Sequence, residues 1–86
     1  MLQPEQIRST IRAYLIEQFL PDETEASLAG DTPLVSSGVL DSLATLQVVS
    51  FLEDSFGIKV KARDVSVDNM DTVDQMVRFV LERAGQ

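Results

Sequence analysis

The sequence predicts an all-α protein, a small four-helix bundle of three longer helices and one short one, with a long loop between the first two helices. Three observations carry that expectation. Apolar residues recur at every third or fourth position in three separate stretches, which is the period of a helix with one buried face. Breakers fall between those stretches, at Pro21, Gly30, Pro33, Gly38 and Gly57. The chain has 86 residues, which suits one domain over 1–86, and helices that each carry a single apolar face can bury it only against one another.

The first helix is expected from about Gln3 to Leu20. Pro4 suits the first turn, where its missing N–H costs nothing. Ile7, Ile11, Leu15 and Phe19 form one stripe with Tyr14 beside them, and Arg8, Arg12 and Glu17 lie on the polar back. Pro21 ends the helix. Residues 21–41 form a connection long enough to suggest a functional or anchored loop. Its acidic start, Pro21 to Glu25, can make a turn of helix, and Leu28, Leu34, Val35, Val39 and Leu40 are the candidate anchors.

The second helix is expected from Ser42 to Phe56, capped by Asp41 or Ser42 and closed by Gly57. Thr45, Val48, Val49, Leu52 and Phe56 share its core face, with Phe51 at the edge. Leu43 and Leu46 fall away from that face. Ile58 and Val60 alternate with lysines but have no partner strand, so an extended connector is expected. Asp64 to Met70 reads as a short helix or turn packing Val65, Val67 and Met70. Thr72-Val73-Asp74-Gln75 matches a capping box, and Val73, Met76, Val77, Val80 and Leu81 follow as the core stripe of a last helix running to about Ala84. Arg78 and Arg83 complement the dipole toward its end. Val48, Leu52, Phe56, Val77 and Val80 are expected to be buried together.

Composition removes several classes of function. Fourteen carboxylates against seven basic residues give a formal charge of −7, which repels nucleic acid and favours partners with a basic patch. The same excess also serves plain solubility. The chain has neither cysteine nor histidine, so a Ser-His-Asp or Cys-His enzyme, a disulfide framework and a Cys- or His-based metal site are excluded. No run is long and apolar enough to span a bilayer, and the N-terminus lacks the order of a secretory signal. The reading is a soluble cytoplasmic protein, monomeric, with no nucleic-acid or membrane partner.

The stretch Gly38-Val39-Leu40-Asp41-Ser42-Leu43 carries the candidate chemistry. A glycine lets the backbone turn, two apolar residues pin the loop, and an acid and a serine open a helix. A hydroxyl placed there sits at the positive end of the helix dipole, where a phosphodiester would be favoured. Asp41 can help hold a Mg²⁺ or a basic partner during transfer. Asp-Ser before an apolar run also reads as an ordinary N-cap.

The hexamer resembles the G-x-x-D-S-L attachment motif of acyl and peptidyl carrier proteins. The likeness extends over nearly the whole chain. Phe56-Gly57-Ile58-Lys59-Val60 resembles that family's exit from its second helix, and Asp71-Thr72-Val73 resembles the start of its last. The resemblance implies a 4'-phosphopantetheine arm moved from coenzyme A to Ser42 by a Mg²⁺-using phosphopantetheinyl transferase, with Asp41 supporting the transfer. The arm's thiol then holds cargo as a thioester, which suits a chain with no thiol of its own. It further implies that the chain is no enzyme, has no catalytic or metal-binding residue, and is visited in turn by loading and modifying enzymes.

Leu43, Leu46, Glu53 and Asp54 are the candidate partner contacts. The alternatives are that the loop covers the leucines and that the acids are simply solvated. Typical fatty-acid carriers have a richly acidic second helix, whereas Ala44 and Gln47 stand at corresponding positions here. That departure, with a spacing from Phe56 to Thr72 similar to free-standing D-alanyl carriers, points to a specialised carrier. The main expectation is an acyl carrier in a lipid or secondary-metabolite pathway. The alternative is an aminoacyl, peptidyl or D-alanyl carrier loaded by an adenylating ligase. An unmodified helical interaction module is the rival class. A hydrolase using paired carboxylates lacks a cleft to hold them.

Overall fold

A computed structural model describes residues 3–24 and 28–85. In it, α1 spans Pro4–Gln18, α2 Ser42–Phe56, α3 Val67–Met70 and α4 Val73–Ala84, with a 3₁₀ turn at Ala62–Asp64. Among the described residues there is no strand, and no helix is long and apolar enough to cross a membrane. The all-α expectation and the long loop between α1 and α2 are both present.

Pro4 occupies the first turn of α1, behind Gln3 in extended backbone. The helix ends at Gln18, two residues earlier than its apolar stripe suggests. The amides of Phe19 and Leu20 both fold back to donate to Leu15 O, at 2.9 and 3.0 Å. The residue before a proline disfavours helical backbone, so the chain leaves the helix ahead of Pro21. Ile7, Ile11 and Leu15 are fully buried, while Phe19 is half-buried. The polar back is less solvated than the pattern implies, because Arg8 forms an ion pair with Asp74 of α4.

α1 packs chiefly on α4, whose other neighbours are α2 and α3. Being packed on several sides explains one departure from the expected stripe: Phe79 is buried and Leu81 lies at the exposed edge. The Arg83 guanidinium lies 5.0 Å from the Phe79 ring centroid. Val48, Leu52, Val77 and Val80 are buried as expected. Phe56 is only half-buried; it stands edge-on to Phe51, which stacks on Tyr14 at 3.9 Å. This aromatic row seals the rim between α1 and α2, and the Tyr14 hydroxyl donates to Gln47 O at 3.3 Å. Burial pushes the Tyr14 hydroxyl above its usual 10.0.

The connector after Gly57 is extended, with Ile58 buried. The short helix expected over 64–70 separates into the 3₁₀ turn and α3. Met70 is its anchor, Val65 is half-buried, and Val67 faces solvent. Asp64 is buried because Arg83 reaches it at 2.7 Å and the Lys61 amide donates to its other oxygen at 3.0 Å. A buried carboxylate is tolerated when paired and hydrogen-bonded in this way.

Leu28, Leu34 and Leu40 pin the long loop by complete burial, and Val35 packs partly against the same core. Val39, expected as an anchor, is 40% exposed. Gly38, at φ 88°, turns the chain so that Leu40 takes the inward place instead. Pro21 and Asp22 form a turn, and the rest of the acidic start reaches Glu25, outside the described residues. Gly30 has a different need for glycine: its carbonyl accepts the Asp74 amide at 3.0 Å, and a Cβ there would overlap the Asp74 carboxylate.

Candidate functional site

Asp41, and not Ser42, caps α2. It sits in extended backbone, and its Oδ1 accepts the Ala44 amide at 2.7 Å. Its carbonyl accepts both the Thr45 amide, at 2.8 Å, and the Thr45 hydroxyl, at 2.7 Å. Thr45 is thereby buried with its polar atom satisfied. With the cap supplied by its neighbour, Ser42 is the first helical residue and is exposed. Gly57 closes the far end in left-handed backbone at φ 66°.

Ser42 lies at the mouth of a cavity of about 550 Å³. Asp41, Ser42, Thr45 and Leu46 contribute from the start of α2, Val35, Gly38 and Leu40 from the loop, and Val65 from beyond the 3₁₀ turn. The hydroxyl therefore borders a largely apolar groove while remaining open to solvent. Leu43 and Leu46 are 67% and 55% exposed, so the loop does not cover them. Val39 and Val67 are further exposed apolar side chains. Glu53 is partly engaged in structure, since its Oε2 accepts the Val60 amide at 2.9 Å and holds the exit from α2. Asp54 is exposed.

The loop entering this site is tied down by a residue whose sequence context marks only a helix start. One oxygen of Asp71 accepts the amides of Leu34, Val35 and Ser36, at 3.0, 2.8 and 2.9 Å. The other accepts the Ser36 hydroxyl at 2.9 Å. Leu34 also donates to the Asp71 carbonyl at 2.7 Å. The hydrogen bond from the Ser36 amide, helped by the others, holds the Asp71 carboxyl below its usual value, against partial burial. No local sequence signal pairs Asp71 with a loop 35 residues away; only its place before the Thr72 cap is legible.

The arrangement presents one hydroxyl on a capped helix start beside an apolar groove. The amides of a helix start favour a negatively charged group on such a hydroxyl. The family described as phosphopantetheine attachment site matches residues 10–80. The chain belongs to that family. The D-alanyl carrier proteins of Streptococcus pyogenes strains Manfredo and NZ131 are each 34% identical to this carrier over 76 residues, covering 88% of this chain and 92% of theirs. Membership brings a covalently attached 4'-phosphopantetheine group. The groove and the uncommitted position of Ser42 fit such a group.

Proposed function

We propose that Ser42 is the attachment point and that the carrier's cargo is an aminoacyl group, D-alanyl in the first instance, loaded by an adenylating ligase. The observation that carries the attachment is the division of labour at the start of α2. Asp41 supplies the cap through Ala44, which leaves the exposed Ser42 hydroxyl at the groove mouth. In the transfer, Ser42 Oγ bonds to the phosphorus that bears pantetheine in coenzyme A. The bond from that phosphorus to the adenosine bisphosphate breaks, and the hydroxyl proton passes to a base on the transferase. The attached group supplies a thiol for thioester formation.

The chain's own residues do the rest. The Ser42 and Leu43 amides open the helix and favour the new phosphodiester charge by about 0.3–1 kcal/mol. Asp41 holds the helix start in register, and its second oxygen is available to a basic group or Mg²⁺ of the transferase. Leu43 and Leu46 offer apolar contact to partner enzymes. Glu53 and Asp54 add charge at the far end of α2, with Glu53 the weaker candidate because it already holds Val60.

The aminoacyl reading is supported by the likeness to D-alanyl carrier proteins over most of the chain. It stands ahead of the lipid or secondary-metabolite acyl reading, which is the main expectation from the sequence. The test is an intact mass of the wild type and Ser42→Ala after incubation with coenzyme A, Mg²⁺ and a broad-specificity transferase. The holo protein is then offered ATP, adenylating ligases and a panel of amino and fatty acids. One added phosphopantetheinyl group on the wild type alone, followed by loading of D-alanine, is expected. The same gain on Ser42→Ala rejects the attachment point, and loading confined to fatty acids rejects the aminoacyl cargo.

A further inference from the structure

We propose that Asp71 is a positioning residue for Ser42, setting the stance of the loop that delivers the hydroxyl and walls its groove. The inference rests on the attachment of the arm at Ser42 and goes beyond it.

Asp71 precedes α4, but its carboxylate is not spent on that helix. Thr72 is the cap there, accepting the Gln75 amide at 3.1 Å. The returning half of the expected capping box is shifted by one residue: the Gln75 side-chain oxygen accepts the amide of Asp71, at 2.9 Å. That bond fixes the Asp71 backbone and leaves both carboxylate oxygens for the other loop. Three consecutive amides, from Leu34 to Ser36, converge on one of those oxygens. Successive N–H groups aimed at one point form a concavity of positive potential that calls for an anion. The protein fills it with its own carboxylate.

The consequence runs directly to the site. Leu34 is also the foot of the loop, since its carbonyl accepts the Leu40 amide at 2.9 Å, and both leucines are buried. The Gly38 amide donates to Val35 O at 3.1 Å, which closes the turn inside that loop. Ser42 follows Leu40 by two residues, at most about 7 Å of chain. Val35, Gly38 and Leu40, all in or bounding the stapled segment, line the groove at Ser42. Removing the anion leaves the amides of Val35 and Ser36 without their acceptor. It frees the wall of the groove and the approach to the helix start together, while the α1–α4 packing is untouched.

A partner that recognises only the closed loop then meets a smaller competent fraction, and its apparent affinity falls by that fraction. The experiment uses the full chain, with amide hydrogen exchange and transferase kinetics measured on Asp71→Ala, Asp71→Asn and the core variant Ile11→Val. In Asp71→Ala, exchange at Val35 and Ser36 is expected to quicken at least about tenfold, and KM for the carrier to rise about tenfold as the closed fraction falls. The kcat should stay within about twofold, the pattern of lost binding without lost chemistry. Asp71→Asn keeps an acceptor oxygen and should raise KM less, which also covers failure of the alanine variant to fold. Ile11→Val lowers the melting temperature from a side chain of α1, outside the loop, and should leave KM unchanged. Wild-type KM in both Asp71 variants, or an equal rise in Ile11→Val, overturns the inference. A wild type that takes no arm at all overturns the attachment reading and this inference with it, whereas modification of Ser42 with KM indifferent to Asp71 overturns this one alone.

Discussion

The seam between α1 and α4 and the loop leading into α2 both end on fully buried leucine-sized side chains, yet different forces hold them. At the seam, Ile7, Ile11 and Leu15 meet a helix that buries Val73, Met76, Val77 and Val80. Burying each such side chain contributes about 1.5–3 kcal/mol. In the loop, the residues from Ser36 to Val39 are exposed, and the segment keeps its shape through Asp71, the turn at Gly38 and the two feet at Leu34 and Leu40. The seam therefore sets how stable the molecule is. The loop sets how the hydroxyl is shown to a partner, and it can be loosened at little global cost.

Four measurements test that contrast. Ile11→Ala should have the largest effect, about 2–5 kcal/mol in a denaturant titration, because it opens a cavity at a fully buried site. Residual secondary structure apart, arm attachment to the folded fraction should proceed as in wild type. A loss below 1 kcal/mol would mean that the seam carries less of the stability than its burial indicates.

Gly38→Ala comes next. A Cβ there meets nothing within 4 Å, so the whole cost is the left-handed backbone, about 1–2 kcal/mol. The cost should fall on the loop, with faster amide exchange from Val35 to Leu40 and little change in α4. An equal slowing or quickening across the domain would show that loop and seam unfold as one.

Acid should act on the loop before the seam. The Asp71 carboxyl lies below its usual 3.8, so its contribution is fully present above that value and is lost as the pH falls through the depressed folded value. The groups that touch its carboxylate, the three amides and the Ser36 hydroxyl, do not titrate in this range. Amide signals of residues 34–36 should hold steady through the ordinary carboxylate range, about pH 4, and shift only once the pH falls below it. A shift near neutrality would assign the effect to another group. The smallest effect belongs to Ser42→Ala. It removes an exposed hydroxyl that caps nothing, so its melting curve should stay within about 0.5 kcal/mol of wild type. A larger loss would return the capping role to Ser42.

The helices were legible because their signals are local. The spacing of Val48, Val49 and Leu52, a cap at Asp41 or Ser42 and the stop at Gly57 predict α2 to its observed ends, and Leu43 and Leu46 are read correctly as lying off the core face. The misplacements fall where neighbours decide. Phe79 is buried and Leu81 exposed because α4 meets several partners. Val67 is exposed because α3 turns Met70 rather than Val67 into the core, and Val39 is turned outward by Gly38.

By itself the sequence determined the helical class, the place of the long loop and the hexamer that presents Ser42, since periodicity, caps and breakers act within a few residues of one another. The folded chain was needed to choose Asp41 over Ser42 as the cap of α2 and to bring Asp71 to the loop that it braces. Asp41 and Asp71 each stand at the head of a helix before a hydroxyl residue; the capping box at Thr72 leaves the Asp71 carboxylate without a task on its own helix, but nothing within a turn names the loop it braces. The difference arises when folding brings the amides of Leu34 to Ser36 to Asp71, across 35 to 37 residues of chain, and leaves Asp41 only its own helix to serve.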